Sequence, residues 1–331
     1  MKQLINVPDD VVEENLQGMV LSNKNKIKRI EGYNVVARID APVKGKVAIV
    51  VGGGAGHDPL FTEYVGKGMA DAAVVGQIFA APPPDQVLAA IKAADSGKGV
   101  ILLYNNYAGD VLNFDMAQDI ARDEDILIDT VLINDEISSA PKDRKEERRG
   151  TTADHILIHL AGAASEHGMS HNDLQKFLNK AIVNSRSLGV SLSGCTLPGA
   201  GKPTFALEEG KMEFGMGLHG EAGIKKVDLT TADETVVALL DYLIEDLPYL
   251  PGDEIIVVVN GYGSTTRMEM YIAARKIHLY LSSKGINIYN TEIGEFCTSM
   301  EMAGISITLI KIDSQIKRYY EMGADSPGYK K

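Results

Sequence analysis

The chain has 331 residues, and its 33 basic against 45 acidic residues give a formal net charge of −12. A chain of this length buries a sizeable core and has room for about two domains. The acidic balance argues against a nucleic-acid-binding protein, which needs at least a basic stripe to neutralise phosphates. The two cysteines, Cys195 and Cys297, provide neither a disulfide framework nor a zinc cluster.

The start of the chain and its hydropathy predict a cytoplasmic protein that does not associate with a membrane. The first ten residues, MKQLINVPDD, turn acidic at once and lack the apolar core of a signal peptide. No apolar run reaches the roughly 18 residues that a membrane-spanning helix needs.

Strand and helix patterns alternate in the first half of the chain. Four apolar runs are typical of buried strands, at 46–51, 72–75, 99–104 and 125–133. Helical patterns lie between them at 84–95, which opens on a proline, and at 110–122, where Asp110 is a plausible N-cap. This α/β alternation predicts crossover units and a mainly parallel or mixed sheet, with ligands near the carboxyl ends of the strands.

The rest of the chain predicts a second α/β lobe. The stretch 142–149 carries charges of both signs, and we expect an exposed loop there. Helices are predicted at 152–167, 171–187, 232–246 and 265–283, and strands at 188–196, 203–207, 211–215, 254–259, 286–292 and 305–310. The strands 203–207 and 211–215 are spaced like a hairpin. We expect residues 1–188 to form the first lobe and 189–331 the second.

The chain's 33 glycines cluster in a few loops, and the first of these follows a predicted strand. It spans residues 52–59, reads GGGAGHDP and carries His57. Its glycines permit positive φ and a close approach of the backbone to a ligand. The loop lacks the GK[ST] ending of a P-loop and the spacing of a dinucleotide site. His57 is therefore either a group that meets a bound small molecule or a surface histidine on a tight turn.

Two further loops carry reactive side chains. The loop 105–110 (NNYAGD) places Asp110 between a strand and a helix, where it can cap the helix, act as a general base, or both. The loop 214–223 (FGMGLHGEAG) presents His219 among four glycines, which favours a nucleophile, a base or a metal ligand over a core residue. Together, His57, Asp110 and His219 could supply three metal ligands.

Two other histidines, His155 and His159, lie four residues apart on a predicted helix. The pattern H-I-L-I-H has no glutamate that could serve as the base of a zincin. We expect helix-surface or packing roles for this pair.

The three loops resemble the signature loops of the K subunit of dihydroxyacetone kinases. The segments that carry the resemblance are GGGAGHDP, NNYAGD followed by VLNF, and EFGMGLHGEAG. Further counterparts are the N-terminal KQLIN, RRG at 148–150, GCTLPGAGKP at 194–203, NGYGSTTRMEMY at 260–271 and CTSMEMAGISITL at 297–309. The resemblance covers essentially the whole chain and implies one K-type module made of two α/β lobes.

The resemblance also implies a role for each loop. The family's histidine in the HGE loop, here His219, forms a covalent hemiaminal with the ketone carbon of dihydroxyacetone. Asp110 would take the proton from the hydroxyl that accepts the phosphoryl group, and His57 would hydrogen-bond the substrate and assist proton transfer. The residues that would contact the substrate are Gly54, Ala55, Gly56, His57, Asn105 and Asp110.

The partners follow from the same resemblance. The chain ends shortly after the K module, so we expect the stand-alone subunit of the phosphoenolpyruvate-dependent system. This subunit would bind no cofactor and no metal, because ADP and magnesium would be held by a separate L subunit, which an M subunit of the phosphotransferase system recharges. The family further implies a homodimer.

Three features depart from the family pattern. Asn105 stands where kinase members commonly have lysine, residues 79–85 read FAAPPPD where hydroxyl residues are frequent, and Ala55 replaces a common serine. These departures predict another short ketose or hydroxyaldehyde as substrate, such as the four-carbon erythrulose, or an altered turnover. We expect Asn105 to reduce activity towards dihydroxyacetone itself.

Three functions follow from these residues. The leading one is an enzyme subunit for phosphoryl transfer to a small ketose. The second is a regulatory relative that binds dihydroxyacetone through the same histidine and activates a transcription factor; such a protein needs His219 but not the base Asp110, whereas Asn105 points towards it. The third, a metal-dependent hydrolase using His57, Asp110 and His219, rests on residue type alone.

Overall fold

The chain forms two compact units, each built on a six-stranded sheet, in a computed structural model that describes residues 3–331. The first unit comprises residues 3–133, 154–180 and 316–331, and the second comprises 134–153 and 181–315. The division expected at 188 differs from this one and falls inside a strand, Ser185–Ser191. The sequence pattern predicts helices and strands one at a time, and it does not show which of them pack together. Contacts between residues distant in sequence place 154–180 and 316–331 in the first unit.

The sheet of the first unit is mixed, with four parallel strands. The strands are β1 (Ile27–Ile30), β2 (Val35–Arg38), β3 (Ala48–Ala55), β4 (Ala72–Ile78), β5 (Val100–Asn105) and β6 (Ile128–Ile133), in the order β1-β2-β4-β3-β5-β6. Strands β4, β3, β5 and β6 pair in parallel, and β1 and β2 add antiparallel strands at one edge. The predicted α/β class and the parallel or mixed sheet are confirmed, while β1 and β2 were not predicted.

Helices cover both faces of this sheet. They are α1 (Val11–Ser22), α2 (Pro84–Ala94), α3 (Ala108–Asp123), α4 (Asp154–Glu166) and α5 (His171–Val183). Helices α2 and α3 pack their apolar sides on the sheet through a buried cluster that includes Val87, Phe114 and Leu102. Helix α4 contacts β3 and β5, and its residues 154–165 are all buried. Of the two roles expected for His155 and His159, the structure therefore supports packing and excludes the helix surface.

The sheet of the second unit is largely antiparallel. Its strands are β7 (Ser185–Ser191), β8 (Lys211–Phe214), β9 (Lys225–Asp228), β10 (Glu254–Gly261), β11 (Asn287–Gly294) and β12 (Gly304–Lys311), in the order β11-β10-β12-β7-β8-β9. Only the pair β10–β11 is parallel. Helices α6 (Ala232–Asp246) and α7 (Arg267–Ser283) pack against it, and α8 (Ser314–Tyr320) ends the helical part of the chain.

Capping boxes fix the start of both long helices of the second unit. The Thr231 hydroxyl accepts from the backbone N–H of Glu234, whose side chain accepts in return from the Thr231 backbone, and Thr266 and Glu269 repeat this arrangement. Each box satisfies backbone donors that a helix N-terminus leaves unpaired. The predicted helix 232–246 is confirmed at both ends.

The predicted hairpin of 203–207 with 211–215 is wrong. Strand β8 pairs instead with β9, with Phe214 opposite Lys225. Pro203 has no backbone N–H for a ladder, and the N–H of the next residue, Thr204, donates to the Cys195 carbonyl at 2.7 Å. Residues 203–207 therefore fold back on the loop that contains Cys195 and do not form a strand.

The charged stretch 142–149 is exposed over most of its length but not at its end. Residues Lys142–Glu147 form a 3-10 helix without a buried residue, whereas the Arg148 side chain is 2% exposed. Arg148 donates from both terminal nitrogens to the carboxylate of Asp246. In the described part of the chain, no helix combines the length and the apolar character required to span a bilayer.

Candidate active site

The carboxyl ends of two neighbouring strands bring two predicted loops to one edge of the first sheet. Strands β3 and β5 run in parallel, with Gly52 opposite Tyr104. The loop that carries His57 follows β3, and the loop that leads to Asp110 follows β5. Because parallel strands end at the same edge, these two loops leave the sheet side by side, which is where open α/β sheets bind ligands.

The loop after β3 depends on glycine because other backbone approaches it closely. A Cβ at Gly54 would lie 2.9 Å from Ala80 N and 3.0 Å from Phe79 Cα, so no other residue fits without moving the 79–80 segment. His57 follows Gly56, whose φ is 96°. The imidazole is 5% exposed and stacks on the Phe79 ring, with centroids 4.9 Å apart. His57 is thus a fixed, buried group and not a surface histidine.

The loop after β5 places a carboxylate in the first turn of α3. The helix begins at Ala108 with Tyr107 as its N-cap, so the expectation that Asp110 is the N-cap is wrong. Asp110 lies inside the first turn and is 9% exposed. The positive end of the helix dipole favours a negative charge there. Such a carboxylate can hold or accept a proton at the edge of the sheet.

Asn105, the last residue of β5, is held by a buried acid. Its Nδ2 donates to Asp154 Oδ2 at 2.7 Å, and the two side chains are 5% and 1% exposed. Asp154 is the first residue of α4 in the same unit. No sequence signal pointed to Asp154, because the two residues are 49 positions apart.

The second unit holds His219 in the connection between β8 and β9. His219 Nδ1 lies 3.1 Å from Glu221 Oε1, and its backbone N–H donates to Glu221 Oε2 at 3.0 Å. A Cβ at Gly217 would lie 2.2 Å from Glu221 Oε2, so the glycine lets the carboxylate fold back onto the histidine. The His219 side chain is 24% exposed, and a small molecule can reach it.

The carboxylate beside His219 stays ionised. Burial opposes the charge, but the hydrogen bond from His219, the charge of that histidine and the nearby Arg149 outweigh it and lower the pKa of Glu221 to about 2. Since a carboxylate only accepts, His219 must carry a proton on Nδ1. In the neutral ring the lone pair then sits on Nε2, which is the form a nucleophile requires.

A chain of ion pairs holds the Glu221 carboxylate that contacts His219. Arg149 Nη1 lies 3.8 Å from Glu221 Oε1, and Arg149 Nε donates to Glu136 Oε2 at 2.8 Å. Glu136 Oε1 also accepts from Ser138 Oγ, which lies 3.1 Å from the carbonyl oxygen of Gly215 in the histidine loop. Sequence reasoning missed Glu221 as a partner, although its place two residues after His219 in the HGE segment was a usable signal.

The structure places the predicted site residues in two groups. Gly54, Ala55, Gly56, His57, Asn105 and Asp110 belong to the first unit, and His219 belongs to the second. Within residues 3–331, no group of three or more His, Cys, Asp and Glu side chains is arranged to hold a metal ion. The described residues therefore offer no ligand cluster that would support a metal-dependent hydrolase.

Fold and loops together define a K-type α/β module, and comparison with known proteins names its family. The profile of the Dak1 domain matches residues 17–328, so the chain belongs to the Dak1 domain family. The dihydroxyacetone-binding subunit of PTS-dependent dihydroxyacetone kinase 2 from Listeria innocua is 41% identical over 331 residues, which cover 100% of this chain and 99% of that subunit. An L-erythrulose kinase from Pectobacterium atrosepticum is 38% identical and matches 100% of this chain, which spans 56% of that enzyme.

Solved structures agree with the family. The dihydroxyacetone kinase of C. freundii superposes with a TM-score of 0.91 at 30% identity, over 99% of this chain and 60% of that one. A dihydroxyacetone kinase operon co-activator superposes with a TM-score of 0.89 at 29% identity, over 94% of this chain and 96% of that one. The resemblance to the K subunit is confirmed, and the named relatives include both kinases, which phosphorylate an alcohol, and a co-activator.

Proposed function

We propose that the chain is the substrate-binding subunit of a phosphoenolpyruvate-dependent dihydroxyacetone kinase. In this proposal it traps a short ketose on His219 and presents it for phosphoryl transfer from a nucleotide held on a separate L subunit. The Listeria dihydroxyacetone-binding subunit is 41% identical over 331 residues, which supports this role. Because an L-erythrulose kinase is among the relatives, a four-carbon ketose is the alternative substrate for this chain.

The observation that carries the proposal is the pairing of His219 with Glu221. A buried, ionised carboxylate that accepts from Nδ1 puts the nucleophilic lone pair on Nε2. The same carboxylate accepts from the histidine's own backbone N–H, so the ring is held at two points. Pre-orienting a reacting group in this way lowers the entropic cost of the addition.

The trapping step conserves every atom of the ketose. Nε2 of His219 forms a bond to the carbonyl carbon, and the π electrons of the C=O bond move to its oxygen. That oxygen takes a proton, and the ring, which would otherwise become a cation, releases its Nδ1 proton to solvent. The product is a neutral hemiaminal. Glycerol has no carbonyl carbon, so it cannot be trapped.

The first unit would supply the proton chemistry of the transfer. Asp110 would take the proton from the substrate hydroxyl as its oxygen bonds to the transferred phosphorus, whose bond to the departing ADP would break. His57, fixed on Phe79, hydrogen-bonds the substrate and assists proton movement. Phosphoryl transfer depends chiefly on positioning and charge stabilisation, and ADP and magnesium on the L subunit would provide the latter.

The assembly and cellular location belong to the same proposal. The chain would pair as a homodimer in the cytoplasm, bind the L subunit directly, and depend on the M phosphotransferase subunit only through it.

Phosphoryl transfer with purified L and M subunits and phosphoenolpyruvate tests this proposal. Dihydroxyacetone and both erythrulose enantiomers should be offered, and at least one should yield a phosphorylated product. Asp110→Asn should cut turnover by about 100-fold or more while the ketose still binds. No product with any of these ketoses would contradict the kinase.

The co-activator is the second candidate, and its similar structure together with Asn105 favours it. A sensor needs the trapping histidine but has no use for Asp110 as a base. In the assay above, a co-activator would trap the ketose and yield no phosphate ester. The substitution Asn105→Lys tests the expectation that Asn105 reduces activity towards dihydroxyacetone. This variant should have a higher kcat/KM for dihydroxyacetone than wild type, and no gain would count against the expectation.

A further inference from the structure

Three segments that carry the family resemblance have no part in the proposed chemistry. They lie at 194–203, 260–271 and 297–309, and all three belong to the second unit. Asn260 joins two of them, because its Oδ1 accepts from the backbone N–H of Cys297 at 3.0 Å and its Nδ2 donates to the Cys297 carbonyl at 2.9 Å. This side-chain amide therefore pairs with the backbone much as a neighbouring strand would.

Further contacts fix the turn that begins at Ser299. The Ser299 backbone N–H donates to the Tyr262 carbonyl at 2.9 Å, and the Ser299 carbonyl accepts from the N–H of Met302 at 3.0 Å. The next residue, Met300, has a φ of 51°, in the left-handed region that residues other than glycine rarely adopt. A Cβ at Gly263 would lie 1.9 Å from the Met300 carbonyl oxygen, so this close approach requires glycine. Ser299 is thus carried by backbone that is held from several sides.

The Ser299 hydroxyl meets the peptide bond that precedes His219. Ser299 is completely buried, and its Oγ donates to the carbonyl of Leu218. The same peptide bond joins Leu218 to His219, and its N–H donates to Glu221 Oε2 at 3.0 Å. One peptide group is therefore held at its oxygen by Ser299 and at its nitrogen by Glu221.

A peptide group held at both ends determines where the histidine begins. The peptide bond is planar, and the Cα of His219 lies in its plane. Rotation of this plane would break both hydrogen bonds, so the point from which the imidazole projects is fixed. A hydrogen bond to the carbonyl also polarises the peptide, which strengthens the bond that its N–H donates.

We infer that Ser299 is a positioning residue for the capture of the ketose by His219. The inference rests on the proposed function and adds the group that holds the backbone of the nucleophile. Glu221 orients the imidazole ring, and Ser299 fixes the peptide from which that ring projects. Because both act on the same peptide group, we expect their contributions to capture to depend on each other.

The first test measures capture of dihydroxyacetone by the full chain, as adduct occupancy by intact mass at a limiting ketose concentration. Ser299→Ala removes the donor and leaves the Leu218 carbonyl buried without it, so occupancy should fall about tenfold. Ser191→Ala is the matched control. Ser191 is a buried serine of β7 whose Oγ lies 3.7 Å from Met302 Sδ, and its removal should leave capture unchanged.

A pair of variants with the same shape separates the hydroxyl from packing. Threonine keeps the hydroxyl and adds a methyl group, whereas valine has the size of threonine and lacks the donor. Ser299→Thr should capture the ketose to within about threefold of wild type, and Ser299→Val should lose about as much as Ser299→Ala. Thermal unfolding checks that each variant is folded.

Two further readouts would not respond in this way to a merely structural role. Glu221→Ala and Ser299→Ala should each lower occupancy about tenfold, but the double variant should lose clearly less than the product of the two, because both act on one peptide group. Hydrogen exchange should become faster in the loop 214–223 of Ser299→Ala and stay unchanged in β10.

The outcomes distinguish this inference from the function beneath it. Wild-type capture by folded Ser299→Ala overturns the inference, as does a folded Ser299→Thr that captures no better than Ser299→Val. Losses that multiply in full in the double variant, or exchange that rises throughout the second unit, overturn the positioning role. If wild type captures neither dihydroxyacetone nor erythrulose, the proposed function fails, and the inference fails with it.

Discussion

His219 and Glu221 hold each other at two points: Nδ1 of the histidine lies 3.1 Å from Oε1 of the glutamate, and the histidine backbone N–H donates to Oε2. The glutamate therefore fixes both the direction of the ring and the position of its proton. A carboxylate that orients an imidazole acts without touching the substrate, so in the proposed function Glu221 is a positioning residue for the nucleophile His219.

Removal of the Glu221 carboxylate should weaken trapping. Glu221→Ala frees the ring and removes a hydrogen bond to a charged acceptor, so adduct occupancy at a limiting ketose concentration should fall about tenfold. The measurement is intact mass after incubation with dihydroxyacetone. Glu209→Ala, an exposed glutamate of the second unit, is the matched control and should trap like wild type. Equal trapping by both variants would contradict the positioning role.

The stability that Glu221 contributes should depend on pH in a defined direction. Its folded-state pKa of about 2 lies below the ordinary value of 4.5, so the contribution is present in full above about pH 4.5 and is lost as the pH falls towards 2. Glu221→Gln should therefore have a lower Tm than wild type at pH 6, and this gap should shrink by pH 3. A gap that stays constant over this range would show that the carboxylate is not held in its charged form.

A methyl group at Gly54 should disturb the first unit locally. Gly54→Ala places Cβ against Ala80 N and Phe79, and the 79–80 segment must move, taking the ring under His57 with it. We expect a loss of about 1–3 kcal/mol in unfolding free energy together with weaker ketose binding.

Gly18→Ala is the control for that change. Gly18 lies in α1, and no atom lies within 4 Å of a Cβ built there. This variant should gain about 0.5–1 kcal/mol in stability from helix propensity, with binding unaffected. Chemical denaturation measures both variants, and a Gly54→Ala protein as stable as wild type would refute the close approach.

The ion pair of Arg148 should matter more than the surface charges beside it. Arg148 is buried and bidentate to Asp246, so Arg148→Ala leaves that acid with fewer partners and should cost about 3 kcal/mol of unfolding free energy. Arg144→Ala removes the exposed pair with Glu147 and should change stability by less than about 1 kcal/mol. Similar losses in the two variants would contradict this ranking.

The sequence predicted the first unit's central strands because strands buried on both faces read as continuous apolar runs, such as 48–51 and 100–104. Strands β1 and β2 escaped prediction because each has only four residues and lies at or near a sheet edge. Strand partners in the second unit could not be predicted either, since residues 203–207 and 225–228 were both available to β8 and only tertiary contacts decide between them.

The sequence predicts the reactive groups of the candidate site but not the residues that contact and orient them. Glycine-rich segments after strands marked His57, His219 and Asp110, because ligand-facing loops need close backbone approach. Asp154 and Arg149 act through contacts with residues distant in sequence, and a buried carboxylate or guanidinium looks the same in sequence as an exposed one. The burial of Arg148 within a charged run is the clearest example.

The central claim, covalent capture by His219, is tested most directly by intact mass spectrometry of the full chain after incubation with dihydroxyacetone, followed by peptide mapping. We predict a mass increase equal to one complete ketose molecule, located on His219 and absent in His219→Ala, while Asp110→Asn retains it. An adduct that persists in His219→Ala, or a wild-type protein that binds dihydroxyacetone or erythrulose without any covalent adduct, would contradict the account.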